Sequence, residues 1–368
     1  MEQDTRKLKQ VSITFITAII GGILFKLMHI PVPWLLGPMI AVVVGTNVLK
    51  LHYVWPRSVR NAGMMIVGYT IGLSMTATAL QDMALQLPSM FSMTLLLLLL
   101  CSGIAFVVSR LSDSDYSTSL LGCIPGGLSQ VILLAEETKG INLAVVTVMQ
   151  ISRLMIIVIV MPLLVMIPVF GHGGAEQATN FTVEVSAKWA DLFPNLLIFA
   201  VAGIVFAIVG GRIKLPTAYL LGPLIGTTIL QLTGLQGPQL PTVLINGAQL
   251  MIGTHVGLML KTNQLHRKVR TISLAVSSGI MLVMGAVVLS IILTEIHPIS
   301  NATALLSMAP GGMDQMGIIA HEIHANLSIV SGYQLFRLFF IFFAVPPLLR
   351  IIFKLIERKK ARKENHIS

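Results

Sequence analysis

The sequence predicts an all-α, polytopic integral membrane protein made of two inverted repeats, with about ten spanning helices and two broken or re-entrant helical segments. Three observations predict it: the composition, a duplication that holds register, and a reversal of basic charge between the two copies. Hydrophobic residues make up 55% of the 368 and charged residues only 11%, with a mean hydropathy of +0.85, whereas soluble chains carry about 25% charged residues. Such a chain is organised by spans of about 20 residues. The apolar runs are 11–28, 34–49, 61–80, 89–109, 117–135 and 142–170, then 192–211, 216–234, 245–260, 271–294, 302–320 and 326–349. Arg6, Lys7 and Lys9 before the first run resemble the start of a signal peptide, but no small-residue cleavage site follows, so an uncleaved first helix is expected.

The duplication is visible within the one chain. Leu36-Gly37-Pro38 recurs as Leu221-Gly222-Pro223, Asn61 as Asn246, Gly68 and Gly72 as Gly253 and Gly257, and Pro125-Gly126-Gly127 as Pro310-Gly311-Gly312, all 185 positions apart (222 − 37). One residue then drops out, and Asn142/Asn326, Gln150/Gln334, Arg153/Arg337 and Pro162/Pro346 lie 184 apart (337 − 153). Chance identities do not keep one register over such a length. The expected organisation is a first membrane repeat over 1–170, a polar linker over 171–191, a second membrane repeat over 192–350 and a basic tail over 351–368.

Charge orients the copies. Loop 50–60 carries three Lys/Arg and its counterpart 235–244 none, while loop 81–88 carries none and its counterpart 261–270 four. Seven of the 25 basic residues fall between Arg350 and Lys363, but the matching linker has Lys188 alone among Glu176, Glu184 and Asp191. By the positive-inside rule, matching loops lie on opposite sides, which makes the repeats inverted and puts the linker outside and both termini in the cytoplasm. Inversion needs an odd number of crossings per repeat, so one of the six runs fails to cross. The Pro-Gly-Gly run is the natural candidate, since Pro removes a donor and two Gly weaken the helix.

The same motif locates the candidate solute site. Pro125, Gly126 and Gly127 are followed by Ser129-Gln130, and Pro310, Gly311 and Gly312 by Asp314-Gln315; each copy continues to a Gln and an Arg inside an apolar run, Gln150 and Arg153 or Gln334 and Arg337. A helix restarting after Gly-Gly offers unpaired N–H groups and a positive dipole end to an anion. An unpaired mid-membrane Arg costs at least about 2.5–3.5 kcal/mol, so each Arg needs a partner. That partner is either a substrate carboxylate or a protein carboxylate, with Glu137, Glu322 and Asp314 as the candidates. Asp314 faces Ser129 in the alignment of the copies, and this asymmetry marks it as a coupling group for H+ or Na+. The helix dipole there favours its charged form and burial its neutral form.

Other chemistry is weaker. His321-Glu322-Ile323-His324 spaces its His at i and i+3, not the i and i+4 of a zinc helix. Cys101 and Cys123 give neither a disulfide framework nor a metal spacing, and the 20 Met are scattered through apolar runs as filler. No metal, cofactor or catalytic residue is expected, and the partners expected are the lipid bilayer and a small solute, with no direct contact to nucleic acid.

The motifs PWLLGPMIA/AYLLGPLIG and PGGLSQ/PGGMDQ, with the Arg-containing helix after each, resemble the AbrB family of bacterial membrane proteins, over about residues 11–349. The resemblance implies a duplicated membrane domain in the cell membrane. Members are commonly labelled "ammonia monooxygenase" or "AbrB family transcriptional regulator". A copper monooxygenase needs a convergent set of ligands, which the repeats do not carry, and a direct DNA reader needs a soluble head. Secondary transport of a small solute, with anions the favoured class, is therefore the expected function. The alternative is a membrane sensor that affects gene expression indirectly.

Overall fold

The computed structural model describes residues 2–112, 114–125, 131, 135, 141–167, 170, 195–259 and 268–364. Among them every regular element is helical: α1 (Glu2–Leu27), α2 (Pro33–Asn47), α3 (Arg57–Ser74), α4 (Ala77–Leu85), α5 (Leu87–Leu111), α6 (Tyr116–Cys123) and α7 (Leu143–Val165), then α8 (Asn195–Arg212), α9 (Ala218–Leu232), α10 (Thr242–Met259), α11 (Lys268–Ile296), α12 (Asn301–Met308), α13 (Met313–Glu322) and α14 (Leu327–Glu364). Seven are long and apolar enough to cross a bilayer, namely α1, α5, α7, α8, α10, α11 and the first part of α14. Helices α2 and α9 have 15 residues each; at about 1.5 Å per residue they reach about 22 Å, short of the roughly 30 Å hydrocarbon core. The linker 171–191 lies outside the described residues, and the backbone of α14 continues as helix through 351–364.

One run differs from its sequence reading. Residues 61–80 read as one apolar stretch, but helix ends at Ser74 and restarts at Ala77, with an 83° bend between α3 and α4. The physical reason lies partly in distant residues. Gln231 Nε2 donates to the Leu73 carbonyl (3.0 Å) and Ser328 Oγ to the Ser74 carbonyl (2.6 Å), so the last carbonyls of α3 are satisfied without another helical turn. Thr76 Oγ1 then accepts from the Ala79 amide (3.2 Å) and caps α4.

The two copies fold alike in detail. The turns before α2 and α9 place His29 and Lys214, and Val32 and Thr217, in the left-handed region, with φ of 53°, 57°, 51° and 46°. Both pairs are 185 apart (214 − 29). A β-branched residue there is strained, so the same strained turn occurs in both repeats. It starts a short helix that begins almost at once with Leu-Gly-Pro.

Those short helices lock the repeats together. Helix α2 packs on α1 of its own repeat and on α10 of the other, and α9 packs on α8 and on α3. A Cβ on Gly253 would collide with the Leu35 carbonyl, and one on Gly68 with the Leu220 carbonyl. Gly257 likewise lies against Met39, and Gly72 against Leu224. Leu35 and Leu220, and Met39 and Leu224, are repeat equivalents, so the contacts are reciprocal, as across a two-fold interface. Each Gly-x-x-x-Gly of one repeat thus receives the backbone of the other repeat's Leu-Gly-Pro helix, the close approach that small residues permit in lipid. The remaining long helices form a second group: α11 packs on α7 and α5, α6 on α5 and α7, and α12 on α11 and α14.

Candidate functional site

Each Pro-Gly-Gly run begins with an eight-residue helix, α6 or α12. It ends in an extended residue, Ile124 at ψ 126° and Ala309 at ψ 122°, immediately before the Pro. In the second repeat the chain restarts as α13 after Gly312, itself extended at φ −79°, ψ 145°. Helix α13 is buried over Met313–Ala320. In the first repeat Pro125 is buried, whereas Gly126, Gly127, Ser129, Gln130 and Glu137 lie outside the described residues.

The Gln–Arg pair that follows each break holds it open. In the first repeat Gln150 Nε2 donates to the carbonyls of Leu121 (2.6 Å) and Ile124 (3.0 Å), and Arg153 Nη1 to those of Cys123 (3.2 Å) and Ile124 (2.7 Å). Arg153 Nη2 donates to Gln150 Oε1 at 2.6 Å. The second repeat repeats this bond for bond. Gln334 Nε2 donates to Leu306 (2.8 Å) and Ala309 (3.1 Å), Arg337 Nη2 to Ala309 (2.7 Å) and to Gln334 Oε1, and Arg337 Nη1 approaches the Met308 carbonyl at 3.5 Å. The side chains are buried, with Arg153 6% and Arg337 5% exposed. Last-turn carbonyls left without helical partners, at the negative end of the dipole, are a fitting partner for a buried cation.

Among the described residues, the hydrogen-bond partners of both guanidinium groups are therefore main-chain carbonyls and the neighbouring Gln, a class of partner that sequence reasoning did not weigh beside the carboxylates. Glu322 is engaged elsewhere, its Oε2 accepting from Gln249 Nε2 at 3.3 Å. Asn142 and Asn326 cap the Arg helices, accepting from the amides of Val145 (3.3 Å) and Ile329 (3.1 Å). Their own amides donate to Thr118 and Thr303 on the short helices, at 3.2 and 3.1 Å. Cap, short helix and Arg form one duplicated unit.

Beside each Arg is a small void between the repeats. One is lined by Arg153, Gly122 and Cys123 of the first repeat and by Ser278, Gly279 and Leu282 of the second; the other by Arg337, Ser307 and Met308 of the second and by Met93, Thr94 and Leu97 of the first. Met93/Ser278, Thr94/Gly279 and Leu97/Leu282 are equivalents at the same spacing of 185 (278 − 93). Each void leaves ≈ 10 Å³ for the centre of a water-sized sphere, room for about one water. Sequence reasoning missed these α5 and α11 residues, and also Gln249, which is fully buried. Gln249 carries the one visible signal, a polar residue in an apolar run whose counterpart is Met64.

Asp314 and Gln315 start α13 side by side, with Gln315 Nε2 donating to Asp314 Oδ2 at 2.9 Å. A Cβ on Gly312 would run into both Gln315 Oε1 and Asp314 Oδ1. The Gly312 backbone is ordinary, at φ −79°, and both atoms are the ends of flexible side chains. Among the described residues, Asp314 and Gln315 are the polar side chains that follow the second break directly.

Comparison with known proteins gives a family and two relatives. A family model described as "Transition state regulatory protein AbrB" matches residues 34–353. The chain is 26% identical over 385 residues to a Bacillus subtilis (strain 168) protein named "Uncharacterized protein YhjN", covering 99% of this chain and 98% of that one. It is 27% identical over 336 residues to the Escherichia coli (strain K12) protein named "Putative regulator AbrB", covering 89% and 92%.

Proposed function

The chain belongs to the AbrB family, and from that premise and the twin helix breaks we propose that it is a secondary transporter of a small anionic solute in the cytoplasmic membrane. The observation that carries this reading is the duplicated unit. Two helices are broken at equivalent places, each break is held by a Gln–Arg pair, and each Arg abuts a void lined by the opposite repeat. Transporters built from inverted repeats bind at discontinuous helices of this kind. In this reading Arg153 and Arg337 keep the ends of α6 and α12 from continuing as helix, while the segments after the Gly pairs contact the solute. Voids this small do not hold a solute, and solute enters when the two repeats shift against each other. The chain carries out no covalent chemistry.

The inverted orientation belongs to the same proposal, supported by the opposite basic character of matching loops. The run that fails to cross is the Pro-Gly-Gly run, which leaves an odd number of crossings per repeat and puts every basic loop in the cytoplasm.

A second reading is supported by one relative's name, "Putative regulator AbrB": a membrane sensor that binds the solute without moving it. Purified protein in proteoliposomes separates the two. Small organic anions are first screened for thermal stabilisation, and a labelled hit is then offered under an imposed pH or Na+ gradient. Accumulation above the equilibrium level is expected. Saturable binding with no accumulation under either gradient means that the sensor reading is right.

A further inference from the structure

We propose that Asp314 is the proton-carrying group of this protein, holding its proton against the amide of Gln315 in a reciprocal acid–amide pair. An unpaired acceptor points to it. Gln315 is 3% exposed and its Oε1 is buried without a hydrogen-bond partner among the described residues, although its Nε2 donates to Asp314 Oδ2. Asp314 Oδ1 and Gln315 Oε1 both lie under 3.0 Å from the point where a Gly312 Cβ would stand. Both oxygens lie on the Gly312 side of the pair, and the buried Gln315 Oε1 costs free energy unless a donor reaches it. Turning the amide over exchanges the problem without removing it, because an amide opposes only one donor edge to a carboxylate and its oxygen still meets the other.

A proton on Oδ1 resolves this. The acid O–H then donates to Gln315 Oε1 while Gln315 Nε2–H donates to Oδ2, and all four groups are satisfied. A metal cation fits less well, because it needs more oxygen ligands than these two and would sit beside the positive N–H edge of the amide. Among the described residues the charged surroundings are few. Arg60 of α3 lies within electrostatic range of Asp314, Arg337 of α14 is engaged by the α12 carbonyls, and α12 has no titratable side chain. Arg60 and the α13 dipole favour the carboxylate, and burial at 8% exposure opposes it.

The consequence for coupling rests on the transport reading. With Asp314 neutral, the positive end of α13 is open to the charge of an anion; with Asp314 ionised, its own carboxylate repels that anion. Proton and anion therefore bind together, and the pair moves as a symport.

The test is an infrared difference spectrum of the full-length protein in lipid, recorded between acid and alkaline pH, for wild type and Asp314→Asn. Asn has the shape of the protonated acid and keeps an amide donor for the site. A protonated-carboxyl C=O band is expected in wild type at neutral pH, lost on alkalinisation and missing in Asp314→Asn. Gln315→Leu should shift the band to higher frequency through loss of its hydrogen bond, which tests the pair in a second variant should Asp314→Asn fail to fold. The absence of such a band overturns the proposal, as does thermal stabilisation by Na+ over K+ that Asp314→Asn abolishes. If the band is present but no solute accumulates, the transport reading fails and the proton site stands.

Discussion

Arg337→Gln is expected to insert into the membrane but to lose most of its thermal stability and all solute accumulation, with Arg153→Gln behaving alike. The long apolar helices that drive insertion do not include the breaks, so insertion survives. What disappears is the clamp on the short helices. Arg337 supplies donors to Ala309 and Met308, and its loss also frees Gln334 Oε1. Two hydrogen bonds from a charged donor, at about 1.5–3 kcal/mol each, amount to about 3–6 kcal/mol. Arg337→Lys should recover only part of this, because a single ammonium cannot span the carbonyls and the Gln in one plane. Fluorescence-detected melting in detergent and uptake in proteoliposomes check both statements. If Arg337→Gln melts like wild type, the clamp is not what holds the break.

Gly253→Val and Gly68→Val should each cost about 3 kcal/mol or more, since overpacking alone costs about 1–3 kcal/mol and here the obstacle is a backbone carbonyl of the opposite repeat. A side-chain tip could swing away, but the Leu35 and Leu220 carbonyls belong to helices fixed on two sides. Helix α10 contains its own control. A methyl group on Gly247 would meet nothing within 4 Å, so Gly247→Ala should be neutral or stabilising by up to about 1 kcal/mol through helix propensity. Comparable melting of Gly247→Ala and Gly253→Val variants would remove the interlock from the account.

The fold class and the two breaks were legible because both rest on local chemistry and on repetition. Pro-Gly-Gly interrupts a helix wherever it stands, and a register of 185 needs no structure to be seen. Recurrence also picked out Gly68, Gly72, Gly253 and Gly257, but not their purpose, since Leu220 and Leu35 lie far away in sequence. The α3–α4 bend escaped for the same reason. Its carbonyls are taken by Gln231 and Ser328, and nothing within 61–80 announces that. The Arg partners were sought among carboxylates because charge pairs are visible in a sequence, whereas an exposed helix end becomes a partner only after the helix has been broken and folded back. The left-handed turns at Val32 and Thr217 set where α2 and α9 begin, and their conformation is not visible in the sequence.

The opposed orientation of the two copies underlies the whole account, because only then do the equivalent breaks face the site from opposite sides of the membrane. Reporter fusions test it most directly, with one fused in the linker at Gly173 and one at the C-terminus after Ser368. The account predicts an external signal from Gly173 and a cytoplasmic one from the C-terminus, with further fusions at His52 and Arg267 cytoplasmic and at Gln81 external. Linker and tail reporting from the same side would contradict it.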